Sequence, residues 1–283
     1  MAIDNFIPAV WSNKLLTRLH ANLVVGQPAV INTDYEGEIT GYGSSVKIHG
    51  IGAVTVSDYT KNTDLSAPEA LTDSEVILNI NRAKAFNFQI DDVDKAQQTP
   101  KVMDGAMAEA AFALSNEADA YLASLYTEAG ITTGFGTTGS PIVPTSSTAY
   151  EYLADAYTAL DEANAPSQGR WVIVPPWFHG MLRKDVRFVS YGTQENRATL
   201  GNAIIGEAAG LTVLVSNNLA QTSGTKYRIM FGHPSAWTMA SQIDQVEAYR
   251  PPLRFADAMK GLHLYGAKTV RPTILGAMCA NKA

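Results

Sequence analysis

The feature that most constrains the fold is a long helical pattern from Lys101 to Ala129. Apolar side chains recur there at steps of three or four residues, which places them on one stripe of a helix. The stripe consists of Met103, Met107, Ala110, Leu114, Ala118, Tyr121 and Leu125. Thr99 and Pro100 suit the start of such a helix, and Gly130 suits its end. At about 1.5 Å per residue the helix would be roughly 40 Å long, so we expect it to be a spine for the other elements.

The other face of this predicted helix is acidic and has no internal Lys or Arg. Its acidic residues are Asp104, Glu109, Glu117, Asp119 and Glu128. Charged runs on one side of a helix usually face water. We therefore expect a solvated face and assign it no ligand.

Composition limits the classes of function. The chain has 283 residues, a hydrophobic fraction of 46% and a net charge of −6, which fits one large or two modest folded domains. No polybasic run is present, so a sequence-independent grip on nucleic acid is not expected. Cys279 is the one cysteine, and no signal peptide or long apolar span is evident. These features predict a soluble, mildly acidic protein made in the cytoplasm.

The chain begins with an amphipathic pattern that predicts an N-terminal helical arm between Ile7 and Val25. Apolar residues follow one another at a spacing of four, which is typical of one helix face. They are Ile7, Trp11, Leu15, Leu19 and Leu23. Such an arm packs either on its own domain or on a neighbouring chain.

Two strand patterns follow the arm and predict a long hairpin. The first includes Val46 and Ile48, and the second alternates without a break from Val76 to Ile90. The second is either one very long strand or two strands separated by a bend near Arg82, where charged residues enter the apolar face. An isolated hairpin is only marginally stable in water. We therefore expect another part of the chain, or another copy, to cover it.

The rest of the chain predicts an inserted domain that mixes helices and strands. A Gly/Ser/Thr/Pro-rich segment over residues 131–147 is interpreted as a flexible linker. A helix from Thr148 to Ala163 and short buried strands near residues 171–174 and 211–215 follow, with further strands at 226–231 and 236–240. From Gln245 onward the tail is predicted to be mostly extended.

Motifs that would indicate catalysis or cofactor binding are weak. Gly134, Gly136 and Gly139 spell GxGxxG, but a helix precedes them and Ser140-Pro141 follows, which is the wrong context for a dinucleotide site. We predict no cofactor and no catalytic residue. A triad of scattered Ser, His and Asp residues stays open, because such triads are recognised by geometry.

Metal sites are not predicted either. The histidines are widely separated in sequence, and none lies four residues from another on a helix. They are His20, His49, His179, His233 and His263. Asp91, Asp92 and Asp94 form an acidic cluster, yet no loop glycine or terminal glutamate completes a calcium loop. We interpret the cluster as a solvated turn.

The order of these parts resembles the major capsid proteins of tailed phages, which have the Hong-Kong-97-type shell fold shared with some encapsulins. The resemblance extends over essentially the whole chain, and its most specific part is the order and spacing of several stretches. These are FIPAVWSNKLL, AVINTDYEGEI, SEVILNINRAKAFNFQIDDVDKAQ, the long helix, IIGEAAGLTVLVSNNL and LHLYGAKTVRPTIL.

The resemblance implies an α+β fold divided into named parts. An N-terminal arm would cover residues 1–34 and an extended E-loop hairpin residues 35–75. The P-domain with its spine helix would cover 76–130, the inserted A-domain 131–246, and returning P-domain strands 247–283. In that family the E-loop lies across a neighbouring subunit.

The resemblance also implies a function. The chain would be a non-enzymatic subunit that self-assembles, in hexamers and pentamers, into the icosahedral shell enclosing the double-stranded DNA of a tailed phage. Portal, scaffolding or decoration proteins are possible partners, and DNA would be enclosed without sequence-specific binding. The alternatives are a subunit of an encapsulin-type compartment and, further off, a soluble α/β enzyme.

Some residues are candidates for contacts between subunits. Trp11 and the Phe86/Phe88 region are expected anchors, because aromatic residues dominate interface energetics. Some family members join subunits through an isopeptide bond between an E-loop lysine and an asparagine. Lys47, Lys61 and Asn281 have the suitable types, but no local motif selects them, so no crosslink is predicted. Because the arm begins close to Met1, a scaffold is expected to be a separate chain or absent.

Overall fold

The computed structural model describes residues 23–34, 45–51, 58, 61, 64, 73–91, 102–185 and 206–282. Three helices are formed by Val102–Ser124 (α1), Ala149–Glu162 (α2) and Pro176–Leu182 (α3). The strands are Ser45–Ile51 (β1), Asp73–Asn79 (β2), Arg82–Asp91 (β3), Trp171–Val174 (β4), Glu207–Ala208 (β5), Leu211–Val215 (β6), Gln221–Thr222 (β7), Lys226–Gly232 (β8), Trp237–Tyr249 (β9), Ala256–Thr269 (β10) and Leu275–Asn281 (β11). The predicted arm and the distal part of the predicted hairpin lie mostly outside the described residues.

The described strands form three sheets. The strands β1 and β2 pair as an antiparallel two-stranded sheet, and β3, β10 and β9 form a three-stranded antiparallel sheet with β10 in the middle. A mixed sheet of six strands contains β11, β8, β4, β6 and β5, with β7 paired to β8. In that sheet β4 and β6 are parallel. The architecture is a mixed α+β fold.

The long helix is present, but it is shorter than predicted. It ends at Ser124, and the 3-10 turn Leu125–Glu128 continues it to the vicinity of the predicted end. From Met107 to Leu125 the predicted stripe is buried except for half-buried Tyr121. Ala111, Ser115 and Leu122 are buried as well, so the inward face is wider than the sequence stripe.

The second predicted strand of the hairpin is two strands in different sheets. The ladder stops at Asn79 and resumes at Arg82, so the interpretation with a bend is confirmed. The strand β2 pairs with β1, whereas β3 pairs with β10. The apolar alternation continues through the break because both halves bury one face, and alternation alone does not reveal that the faces belong to different sheets.

The prediction of a flexible linker over residues 131–147 is wrong for its first half. Ile131 and Ile142 form parallel bridges with Gly276 and Ala280 on β11. Phe135 is buried, and its ring centroid lies 5.0 Å from that of Phe231. The segment is therefore packed along the edge of the six-stranded sheet, although its composition is that of a loop.

The tail is extended as predicted, but its strands divide between two sheets. The strand β9 begins at Trp237 and continues to Tyr249, much longer than the predicted strand at 236–240. Together with β10 it belongs to the three-stranded sheet, whereas β11 pairs with β8 in the six-stranded sheet. Residues 275–281 therefore lie with the middle region of the chain rather than with the three-stranded sheet.

Two indole rings join the larger sheets. Trp171 on β4 and Trp237 on β9 are both buried, and their rings stack with centroids 5.5 Å apart. The indole N–H of Trp237 donates a 2.7 Å hydrogen bond to the carbonyl of Val30. One aromatic pair thus connects both large sheets to the segment that follows the predicted arm.

A glycine on β10 allows the close approach of β2. A Cβ atom placed on Gly266 would lie 2.3 Å from the carbonyl oxygen of Asn79. The backbone at Asn79 would have to move to relieve this clash, which costs more free energy than rotating a side chain. We expect Gly266→Ala to reduce the free energy of unfolding by about 1–3 kcal/mol through overpacking, measured by urea unfolding of the unassembled chain. Gly105→Ala in α1 is the matched control, because nothing lies within 4 Å of its Cβ position and alanine favours a helix by up to about 1 kcal/mol. Equal effects of the two substitutions would contradict the steric argument.

Candidate assembly surfaces

The base of the β1–β2 hairpin is attached to its own chain by a separate small core. Its buried members from β1 and β2 pack against Ala240 and Leu264 of the three-stranded sheet. The hairpin members are Val46, Ile48, Leu78 and Ile80. Of the two covers expected from the sequence, another part of the same chain is the one observed for this part of the hairpin, because the chain itself buries one face of the base.

The opposite face of the hairpin base remains exposed. Lys47 and Glu75 form an ion pair of 2.7 Å across the two strands, and the neighbouring Ile77 is 44% exposed. The hydrogen bond and charge of Glu75 raise the pKa of Lys47. This face presents a paired charge and an apolar side chain to any neighbouring surface.

A buried carboxylate on α1 fixes the segment that leads out of the predicted arm. Asp119 is 1% exposed and accepts hydrogen bonds of 2.9 Å from the backbone N–H of Val24 and of 3.1 Å from those of Val25 and Gly26. Burial raises the pKa of this carboxyl, and the three N–H donors oppose that shift. The expectation that the acidic side of α1 is simply solvated is wrong for Asp119.

The same segment continues as a short edge on the three-stranded sheet. Asn32 forms a parallel bridge with Thr238, and its carbonyl accepts hydrogen bonds from the N–H of Met239 and the hydroxyl of Thr238. Val30 and Ile31 are buried in the main core. The chain is therefore held from Val24 to Asn32, and residues before it start from a fixed point on α1.

Two other acidic residues of the predicted helix, one on α1 and one on the 3-10 turn that follows it, have partners on the three-stranded sheet. Glu117, which is exposed, forms a 2.7 Å ion pair with Lys84 of β3. Glu128 accepts a 2.6 Å bond from the ammonium of Lys268 and a 3.1 Å bond from the backbone N–H of Thr269. Burial alone would raise the pKa of Glu128, but these donors outweigh it and lower the pKa. Glu117 thus joins α1, and Glu128 joins the 3-10 turn after it, to the three-stranded sheet.

The turn between β9 and β10 exposes large apolar side chains at the end of the three-stranded sheet. We call residues 250–255 the β9–β10 tip. Leu253 is 94% exposed and Phe255 is 83% exposed. The sequence analysis predicted only an extended tail here and missed the tip, although the pair Pro251-Pro252 is a readable signal of a break between strands.

The histidines that the structure describes lie on separate elements of the fold. Within the described part of the chain, no group of three or more His, Cys, Asp or Glu residues is placed to hold a metal ion. The glycines at 134 and 136 have positive φ angles and shape the edge segment. His49 lies on β1, His179 on α3, His233 before β9 and His263 on β10, whereas His20, Asp92 and Asp94 lie outside the described residues. Cys279 is buried in β11.

The predicted interface anchors have different positions. Phe86 and Phe88 stack on each other at 5.9 Å and are half-buried against the main core of their own chain. Part of the surface of both rings is therefore already covered by their own subunit. Trp11 lies outside the described residues. Asn281 ends β11, and the structure describes the position of Lys61 only as a turn.

No helix in the described ranges has the length and apolarity needed to cross a bilayer.

Comparisons with known proteins agree on one class. A family model described as phage capsid protein matches residues 75–274. A solved structure from Mycobacterium phage Che8 is similar over 98% of both chains, with 30% sequence identity and a TM-score of 0.72. The capsid of the cyanophage P-SCSP1u is similar over 89% of this chain and 86% of its own, with 17% identity and a TM-score of 0.67. The sequence matches none of the curated proteins it was compared with.

The mature capsid of bacteriophage PhiM1 has the same fold at 12% identity, with a TM-score of 0.61 over 84% of this chain and 82% of its own. Since the family model spans well over half of the sequence, the chain belongs to the phage capsid protein family. It is a structural subunit of a phage capsid, and the family match favours this function over the compartment and enzyme alternatives.

The buried carboxylate gives a prediction about stability. Asp119→Ala would leave the N–H groups of Val24, Val25 and Gly26 without their acceptor, so we expect a loss of about 2–4 kcal/mol in the free energy of unfolding. Urea denaturation of the unassembled chain measures it. Glu117→Ala on the same helix is the control, because an exposed ion pair contributes about 1 kcal/mol or less. Similar losses for both variants would mean that Asp119 has no special structural role.

The pKa of Glu128 gives a prediction about pH. The pKa of Glu128 in the folded chain lies below the ordinary 4.5. The stability that its ionised carboxylate contributes is therefore present above pH 4.5 and is lost as the pH falls through the lowered pKa. We expect the wild-type chain to lose about 1 kcal/mol more stability than Glu128→Gln between about pH 5 and about pH 3, after allowance for solvent exposure. Thermal unfolding of both proteins across that range is the measurement. Parallel pH profiles would exclude the contribution.

Proposed function

We propose that this capsid subunit assembles with copies of itself into an icosahedral shell that encloses the double-stranded DNA of a tailed phage. The observation that carries the proposal is the hairpin, whose base is attached to its own chain on one face only. A hairpin fixed at its base and uncovered on the other face is suited to contact a neighbour.

The proposal divides the chain as the resemblance implies. Residues 1–34 are the N-terminal arm, 35–75 the E-loop, 76–130 the P-domain with α1 as its spine helix, 131–246 the A-domain, and 247–283 the returning strands. The pairing of β11 with β8 supports one revision, in which residues 275–281 are grouped with the A-domain sheet. In this arrangement α1 sets the distance between the E-loop and the A-domain.

The partners are other copies in hexamers and pentamers. Portal, scaffolding and decoration proteins are the further candidate partners. The net charge of −6 argues against strong attraction to phosphate, so DNA is enclosed rather than bound in a sequence-specific way. The subunit acts through association energy and without catalysis, and it resides in the virion after assembly in the host cytoplasm.

Assembly of the purified chain tests the proposal directly. We expect closed particles in electron micrographs and a fast-sedimenting species in analytical ultracentrifugation. The result that would reject the proposal is a stable monomer at every protein and salt concentration tested, with scaffolding protein also supplied.

The role of the hairpin can be tested separately. Replacing residues 52–72 by Asn-Gly, which suits a two-residue hairpin turn, keeps the paired strands β1 and β2. We expect the variant to keep its secondary structure by circular dichroism and to lose at least about tenfold in particle yield. A variant with the same Asn-Gly insertion between Ser223 and Gly224, in the turn before β8, is the control. Unchanged particle yield would contradict the E-loop role.

A further inference from the structure

Two apolar surfaces of the chain lie exposed at its periphery. One is the outer face of α1, formed by Glu109, Phe112, Ala113, Asn116 and Ala120, all of which are exposed. The other is the β9–β10 tip. The inward face of α1 is already buried in the main core, so the exposed Phe112 on its outer face is the apolar side chain that α1 presents to another chain.

The outer face of α1 combines an aromatic side chain with a negative charge. Phe112 is 53% exposed, and Glu109 lies one turn before it, so the two side chains are neighbours on the helix surface. Unlike Glu117, which pairs with Lys84, Glu109 makes no ion pair with any described residue. The face therefore has an apolar centre and an acidic flank.

The β9–β10 tip combines the complementary features. Leu253 and Phe255 flank Arg254, which is exposed and makes no ion pair among the described residues. Arg250 differs, because Asp257 holds it at 3.6 Å. The tip thus has two apolar side chains and one cation available for contact.

We propose that the β9–β10 tip of one copy docks on the outer face of α1 of a neighbouring copy. Leu253 and Phe255 pack against Phe112, and Arg254 faces Glu109. The proposal rests on the assembly proposed above and names one of its contacts. It fits the pattern in which a buried aromatic centre is flanked by complementary charges.

The tip is held rigidly enough to act as a knob. The register next to it is fixed by the pairs Ala258–Tyr249 and Ala256–Asp91. Tyr249 donates a 3.1 Å hydrogen bond to Asn87 across the sheet. Pro251 restricts the turn further. Ordering such a tip on binding costs little entropy.

The same geometry makes the contact intermolecular. Within one chain, the tip residues and Phe112 are all exposed, so they do not cover each other. Each copy has one tip and one outer face, so the contact is heterologous and each copy donates once and receives once. Repetition of such a contact gives a ring where the rotation between copies closes.

Chemical crosslinking tests the contact at positions that leave the anchors intact. Ala113 and Pro252 are exposed, and the natural Cys279 is buried, so thiols introduced by Ala113→Cys and Pro252→Cys are the accessible ones. Assembled particles of the double variant, treated with a short bismaleimide, should give a ladder of dimers and larger species on a denaturing gel. Either single variant should give monomer.

The matched control is Val143→Cys combined with Pro252→Cys, because Val143 is 51% exposed but follows Ile142, which bridges to β11, and is not on α1. It should give monomer. Dimers from Pro252→Cys alone would show that two tips meet, and dimers from Ala113→Cys alone would show that two helices meet. Either result, or intact particles without a ladder, overturns the proposal.

A charge exchange tests the same contact without new thiols. We expect Arg254→Glu and Glu109→Arg each to lower particle yield at least about tenfold at low salt, because each brings like charges together. The combined variant should recover most of the yield. Equal loss in the combined variant would overturn the pairing of these residues. Failure of the wild-type chain to form particles would instead reject the proposed function, so the two failures are distinguishable.

Discussion

The stacked pair Trp171–Trp237 is the contact on which the arrangement of the subunit depends. The two rings belong to different sheets and are both fully enclosed. Because the indole N–H of Trp237 also bonds to Val30, the pair fixes the chain entering the core as well. An aromatic pair buries a large apolar area and prefers a defined geometry, so it sets both the distance and the angle between the sheets. The hairpin, α1 and the β9–β10 tip are oriented from this junction.

A subunit built in this way leaves several surfaces half covered. The hairpin base is buried on one face and α1 has an apolar residue on its outer face. In a monomer these exposed groups would be a liability. In the assembly proposed above, these uncovered surfaces are the ones available to another copy. The stability of the subunit and its capacity to assemble are thus divided between opposite faces of the same elements.

The sequence predicted local elements well because periodicity reflects burial. The helix α1, the buried strand Trp171–Val174 and the helix Ala149–Glu162 were all expected close to their observed bounds. The family was also predictable, since the order of elements is distinctive even where each motif is weak. The bend before Arg82 was left open by the sequence, because alternation reports that a face is buried and says nothing of the sheet to which it belongs.

The wrong predictions share a physical cause: the residues concerned are held by hydrogen-bond partners that are remote in the sequence. Asp119 appears in an acidic series with Glu109 and Glu117, and only the fold brings the N–H groups of Val24, Val25 and Gly26 to it. Likewise, the residues from Ile131 to Ile142 have the composition of a linker, yet β11 offers them backbone partners. A carboxylate is stabilised in the interior when donors satisfy its oxygens, and donors remote in sequence leave no local pattern.

Asp119 and Glu109 both lie on α1, but they differ in whether hydrogen-bond donors lie near their carboxylates. Asp119 faces inward, where three N–H groups compensate for its burial and hold the segment from Val24 to Gly26 on α1. Glu109 faces outward, where no described residue pairs with it, and in the docking proposed above its charge faces Arg254 of a neighbouring copy. In this proposal one side of α1 packs within its own subunit, and the other side contacts a neighbouring copy. The length of α1 matters because it separates these two tasks along a rigid element.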